Sequence, residues 1–268
     1  MKFICDFCFN KEFKTSFVYK NRPNGETDFK ISKKQYFRYY KYCTNCKHHY
    51  SILYFNLKDL YKTKYSKHTY GKELDKTFKK ILNLPQKKSD NYLRVKRFLN
   101  FFEKKNIYKK NILDIGSGIG IFPYTLKQLG LNITCLESDK NLSNYLSKDL
   151  KLKTIKKDFI NANIKNKFDV ITLNKVLEHL EAPIPFLKKI YKILKKNGVL
   201  YLEVPDTLSA TKKGKNREEF FVEHLHGFTK NSLRFLCRKT QYKIVTIKSI
   251  IEPSTKYTIY SFIKKQIL

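Results

Sequence analysis

The segment Ile112-Leu113-Asp114-Ile115-Gly116-Ser117-Gly118-Ile119-Gly120 constrains the fold more than any other. A short apolar run reads as a buried strand. Three glycines at alternate positions then let the chain turn tightly and bring its backbone close to a ligand. A dinucleotide-binding turn would need its third glycine at Ile121, so this spacing is a different pattern. A turn of purely structural use is the alternative. Downstream, apolar runs alternate with amphipathic stretches, which predicts an α/β domain on a mostly parallel sheet. The strands are expected at 111–115, 132–137, 153–156, 168–173, 198–204, 242–250 and 256–263. The last two, joined at Pro253-Ser254, form a hairpin that makes the sheet mixed. Lys188 to Lys196 reads as a helix with Asn197-Gly198 as its C-cap.

Upstream, Cys5-x-x-Cys8 and Cys43-x-x-Cys46 stand 34 residues apart, with a Pro23-Asn24-Gly25 turn signal between them. Two such knuckles supply the four thiolates of a closed structural zinc site, with iron as a rival ion and unpaired or disulfide-bonded cysteines as the alternative. Residues 1–50 are therefore expected to form a zinc-ribbon-like β unit. In 51–90, a helical connector, the apolar positions Leu57, Leu60, Tyr61, then Leu74, Phe78, Ile81 and Leu82 suggest short amphipathic helices. The main domain spans 91–268 and starts with a helix carrying Tyr92, Val95, Phe98, Leu99 and Phe102 on one face. His48 and His49 are expected at the surface, and Cys135 as a buried apolar residue.

Asp114 with Gly116, Gly118 and Gly120 resembles the first motif of class I S-adenosylmethionine-dependent methyltransferases, and further motifs follow in the family's order. The resemblance implies a Rossmann-like seven-stranded sheet that binds S-adenosylmethionine. It implies that Asp114 fixes the loop or the methionine end of the cofactor, unless it is only a turn cap. Glu137 would grip the ribose hydroxyls, Asp158 and Phe159 would meet the adenine, and Asn174 would complete the cofactor set. The run Val176-Leu177-Glu178-His179-Leu180 is similar to one frequent in small-molecule and glycan methyltransferases.

The knuckles, followed by Tyr54, Leu57, Leu60, Tyr61 and Tyr65, resemble the amino-terminal region of bacterial sugar C-methyltransferases of surface-glycan gene clusters. Phe221-Val222-Glu223-His224 resembles their Y-x-E-H segment, with Phe221 at the tyrosine position. This implies a sugar, nucleotide sugar or related glycan-pathway acceptor. His224 is the expected base, Glu223 orients it or the acceptor, and His179 is a rival base. Alternatively, His224 and His226 only shape the start of the helix after Thr229.

The chain of 268 residues carries 56 Lys+Arg against 23 Asp+Glu, a net charge of +33. Such charge attracts polyanions weakly without specificity. Lysine is spread along the chain beside abundant Asn, Phe and Tyr, the mark of A/T-rich coding rather than a dedicated nucleic-acid face. A zinc-containing RNA base methyltransferase is nevertheless a competing reading, and a non-catalytic cofactor-binding scaffold is a third. The start lacks a secretory signal and no run is long enough for a membrane span, so a cytoplasmic protein is expected.

Overall fold

The computed structural model describes residues 3–55, 73–103 and 107–266. The connector positions Leu57, Leu60, Tyr61 and Tyr65 lie outside these. Near the start, aromatic and β-branched residues form β1 (Phe13–Tyr19), β2 (Arg38–Cys43) and β3 (His49–Leu53), paired antiparallel in that order. The Pro23-Asn24-Gly25 signal is a turn, with Gly25 at φ 84° and the Glu26 amide donating to the Pro23 carbonyl.

The glycine-containing domain is built on β4 (Asn111–Ile115), β5 (Asn132–Leu136), β6 (Lys153–Ile155), β7 (Phe168–Asn174) and β8 (Leu194–Pro205). A two-residue strand, β9 (His226–Gly227), precedes helix Lys230–Lys239, and β10 (Tyr242–Ile251) and β11 (Tyr257–Lys265) close the chain. The seven-stranded sheet has the order β10-β11-β8-β7-β4-β5-β6. Only β11 runs antiparallel to its neighbours, as the closing hairpin requires. The chain leaves β4 toward β5 and β6, then returns to pair β7 with β4's other edge, so a switch point lies beside β4's carboxyl end. β9 does not join this sheet. It pairs with β3, making a four-stranded antiparallel sheet β1-β2-β3-β9.

Among the described residues, two of the helices expected from apolar periodicity stand where they were placed and a third is displaced. Leu74–Leu82 buries Phe78, and Asp90–Phe101 buries Val95 and Phe98 and is capped by Ser89, which accepts from the Tyr92 amide. The helix expected over 188–196 instead occupies Pro183–Ile193. Buried Leu194 draws the chain into β8, where Phe168 pairs with Leu194 but Val170 with Val199. Tertiary burial has overridden the helical propensity of the lysines. Gly198 serves this bulge rather than a cap, because a Cβ there would lie 2.8 Å from the Leu194 side chain.

Beneath the sheet, helix Asp90–Phe101 is riveted to β8 by charge. Arg94 Nε and Arg97 NH2 each reach Glu203 at 2.7 Å, Arg97 also reaches Glu252 at 2.8 Å, and Tyr201 donates to Glu203. Burial alone would push Glu203 up, but the two guanidiniums outweigh it and hold the carboxyl at about 2. The folded value lies below the unfolded one, so this stabilisation is present above about pH 4.3. It is lost as pH falls through about 2. Arg97→Met leaves two buried carboxylates short of a partner and is expected to cost about 3–5 kcal/mol in urea unfolding at neutral pH. The difference from wild type should shrink on acidification. A cost below about 1 kcal/mol would show that the rivet is dispensable.

Candidate active site

Each glycine of the loop after β4 has positive φ: 71° at Gly116, 54° at Gly118 and 85° at Gly120. A Cβ at Gly116 would meet Val176 at 2.7 Å, and one at Gly120 would meet Leu146 at 2.3 Å. Gly120 opens helix Ile121–Gln128, while the Gly118 amide donates to Glu137 Oε2 at 2.8 Å. The other Glu137 oxygen accepts from the Asp139 amide at 2.9 Å. The carboxylate is thus fixed at the end of β5 with lone pairs to spare for a diol.

Asp114 is buried, and its Oδ1 accepts from Thr172 Oγ1 at 2.5 Å and Asn174 Nδ2 at 3.1 Å, joining β4 to β7. Burial pushes it up to about 6. Asn174 Oδ1 is buried without a hydrogen-bond partner among the described residues. That orphan acceptor, beside a loop with no room for a Cβ at Gly116 or Gly120, fits a bound polar cofactor. Phe159 is buried against Phe186, with ring centroids 4.7 Å apart. Asp158 is exposed and accepts from the Asn161 amide. Cys135 is buried, as expected.

The expected acceptor residues come together. His179 follows β7 on a helical turn (Leu177–His179), and its Nδ1 lies 2.9 Å from the Glu223 carbonyl oxygen. His224 Nδ1 lies 3.1 Å from the Glu219 carbonyl, and the two imidazoles are 4.9 Å apart. A carbonyl only accepts, so both rings carry hydrogen on Nδ1 and a lone pair on Nε2. Burial lowers His179 to about 4 and also holds His224 well below the ordinary imidazole value, so both are neutral at pH 7. Burial raises Glu223 to about 7.

Glu178 was missed as a site residue although it stands inside the Leu177-Glu178-His179 run. It is fully buried with both carboxylate oxygens unpartnered among the described residues, and burial lifts it to about 8. Ligand atoms of Glu178, His179 and His224 lie within 4.8 Å of one another. Lys175, at φ 60°, was also missed; its Nζ is held 2.7 Å from Thr258 Oγ1.

The four knuckle cysteines converge as expected, with Cys5–Cys46 and Cys8–Cys43 sulfur pairs at 3.5 Å and all four sulfurs within 4.8 Å. Disulfides would bring sulfurs to about 2.05 Å. Four thiols at this separation suit a tetrahedral ion, and Tyr50 Oη and Asn10 Nδ2 approach two of the sulfurs as outer hydrogen-bond partners.

The expectation that His48 and His49 are surface residues is corrected: both are buried. β9 covers them, and His48 Nε2 meets His226 Nδ1 at 2.9 Å. His226 therefore packs under β3. Capping of helix Lys230–Lys239 falls to Thr229 and Ser232.

Gly120 and Gly130 have nearly the same φ, 85° and 82°, but a Cβ at Gly130 meets nothing within 4 Å. Gly130→Ala should cost only the left-handed strain, about 1–2 kcal/mol. Gly120→Ala should cost at least about 2 kcal/mol more through the Leu146 overlap. Equal losses in urea unfolding would mean that the Leu146 contact relaxes freely.

A family model described as a methyltransferase domain matches residues 88–247. The mitochondrial ubiquinone biosynthesis O-methyltransferase of Schizosaccharomyces pombe is 30% identical over 130 residues, 45% of this chain and 46% of that one. The ubiquinone biosynthesis O-methyltransferase of Rickettsia canadensis is 25% identical over 170 residues, covering 60% of this chain and 71% of that one. The chain thus spans about half the length of the fission-yeast relative. Among solved structures, magnesium protoporphyrin IX methyltransferase of Synechocystis aligns with a TM-score of 0.59 at 12% identity, covering 78% of this chain and all of that one. An S-adenosylmethionine-dependent methyltransferase of Clostridium acetobutylicum gives 0.51 at 17% identity, covering 68% and 93%. The chain belongs to the methyltransferase-domain family, and its fold is that of the S-adenosylmethionine-dependent methyltransferases.

Proposed function

We propose that the protein transfers a methyl group from S-adenosylmethionine to a small-molecule acceptor. The observation that carries this reading is the approach of His179, His224 and Glu178 just beyond Asn174, so that acid–base groups adjoin the glycine loop. Bound S-adenosylmethionine supplies a methyl already activated on a sulfonium. What remains for the chain is to hold the acceptor in line and to take its proton. Glu137 would hold the ribose, Asp158 and Phe159 the adenine, and Asp114 with Gly116, Gly118, Gly120 and Asn174 the methionine end.

His224 Nε2 is the base of first choice and His179 Nε2 its rival, since both rings are held in the tautomer that leaves Nε2 basic. Glu223 holds His179 through its carbonyl while the Glu219 carbonyl holds His224, and Glu178, held protonated at neutral pH, can donate to the acceptor. The Glu223-His224 segment favours a hydroxyl or carbon acid of a sugar or nucleotide sugar. A non-sugar oxygen acceptor is the second reading, because the relatives' names describe O-methyltransferases of ubiquinone biosynthesis.

Cys5, Cys8, Cys43 and Cys46 would hold one structural zinc, whose task is mechanical. β9, through its pairing with β3, joins the knuckle unit to the Glu223-His224 segment. Free cysteines in this number suit the reducing cytoplasm.

Calorimetric titration with S-adenosylhomocysteine tests the cofactor site: binding in the micromolar range is expected, and Glu137→Ala should weaken it at least about tenfold. Absence of binding by folded protein would overturn the enzyme reading in favour of a scaffold. A panel of nucleotide sugars, phenols and ribosomal RNA then separates the acceptor classes. With an acceptor in hand, the acid limb of kcat/KM should fall well below the ordinary imidazole value of about 6.5, because desolvation lowers both His224 and His179. Chelation should remove about one zinc per chain, lower Tm and raise the acceptor's KM while S-adenosylhomocysteine binding persists. Unchanged KM after zinc loss would disconnect the knuckles from the acceptor side.

A further inference from the structure

A cleft of about 710 Å³ opens where helix Lys230–Lys239 meets the start of β10 and the end of β11. Arg234 and Arg238, four residues apart on one face of the helix, line it together with Lys243 and Lys265 from the two strands. Cys237 and Tyr242, both buried, contribute to its walls. Among the described residues none of these four cations pairs with a carboxylate, whereas Arg38, Arg94, Arg97 and Arg217 all do. Burial and the nearby Lys167 both press Lys265 toward its neutral form. Like charges crowded at one cleft are unfavourable until an anion neutralises them.

The cleft stands apart from the methyl-transfer site. Lys264 of β11 pairs with Val199, and Val199 with Val170, at the amino-terminal end of the parallel strands. The glycine loop leaves β4 at the other end, so an occupant of the cleft does not compete with the cofactor.

We propose that this cleft is a second ligand site, which takes a small molecule carrying two or more phosphate groups. Two guanidinium forks match phosphate oxygens in pairs, and the lysines add point charges for a second phosphate. The volume lies in the range of small-molecule sites and exceeds what a single inorganic anion fills.

The test is calorimetric titration of the full chain with inorganic tripolyphosphate at about 0.15 M salt, where diffuse surface attraction is screened. Saturable binding of one equivalent is expected. Arg234→Glu with Arg238→Glu should weaken it at least about tenfold. Lys87→Glu with Lys88→Glu makes the same change in net charge at two exposed residues elsewhere and should leave binding within about twofold. Unaltered S-adenosylhomocysteine affinity and Tm in the arginine variant would show that its fold is intact. Non-saturable uptake, or equal losses in both double variants, would overturn the proposal and leave only the attraction of a highly basic surface. A nucleoside triphosphate that binds more tightly than tripolyphosphate, with the same arginine dependence, supports the proposal and identifies a nucleotide. If only a single-stranded RNA oligonucleotide responds to the arginine pair, the small-molecule site is overturned in favour of a nucleic-acid contact.

Discussion

The short pairing of His49 and Tyr50 with Gly227 and His226 makes two distant parts of the chain one structure. Without it, the knuckle unit would touch the methyltransferase sheet only through side chains. With it, Ser51 donates to the Leu225 carbonyl, Tyr40 donates to the His224 carbonyl, and Val222 donates to a Glu26 oxygen. Leu225 in turn donates to the Glu178 carbonyl, so the segment bearing Glu223 and His224 is fastened on both sides. Gly227 is required at the crossing, because a Cβ there would lie 2.7 Å from Thr207 Oγ1 and 2.9 Å from His49 Cβ. A loop would ordinarily be among the more mobile parts of such a fold, whereas this one is held by backbone and side-chain hydrogen bonds from the four-stranded sheet on one side and the Leu177–His179 turn on the other.

The anchoring residue Glu26 is itself held in a buried set of charges. Arg38 NH2 reaches it at 2.7 Å, Tyr36 donates to its other oxygen, and Tyr19 lies across the guanidinium at 3.8 Å. Together with Arg94, Arg97 and Glu203 beneath the main sheet, these pairs fix geometry where apolar packing alone would permit sliding. Most of the other basic residues, predominantly lysine, lie on the surface. Arginine is scarce in the sequence, yet four of the seven arginines pair with buried carboxylates. A planar fork with several fixed donors suits that role better than a flexible ammonium.

The seven main-sheet strands were legible because their apolar patterns are local, nearly continuous in central strands such as β4, β7 and β8, and each begins or ends within a few residues of its expected place. The glycine turn was legible for the same reason, since the requirement for positive φ is written in three residues. What could not be read was non-local. β9 is two residues long and has no periodicity to detect, so the burial of His48 and His49 beneath it had no signature in their neighbours. The helix end at Ile193 depended on where Leu194 finds its pocket. Glu178 and Lys175 went unnoticed as site residues because a lone carboxylate or lysine after a strand looks like solvent-facing polarity until the fold closes over it.

That closure sets the chemistry of the Glu178, His179, Glu223 and His224 cluster. In water, carboxylic acids ionise well below neutrality and imidazoles near it. Here burial reverses the order: Glu178 and Glu223 are raised to about 8 and 7, while His179 falls to about 4 and His224 is held well below the ordinary imidazole value. At neutral pH the two histidines therefore carry no charge, Glu178 is mostly protonated, and Glu223 is divided between its two forms. Two uncharged imidazoles present no cation to the cationic methyl donor of the proposed reaction. A positive charge entering nearby would favour ionised carboxylates and disfavour imidazolium, driving both groups toward the form that accepts a proton. The same burial that makes these groups costly to ionise thereby leaves them responsive to a positive charge such as the proposed methyl donor carries.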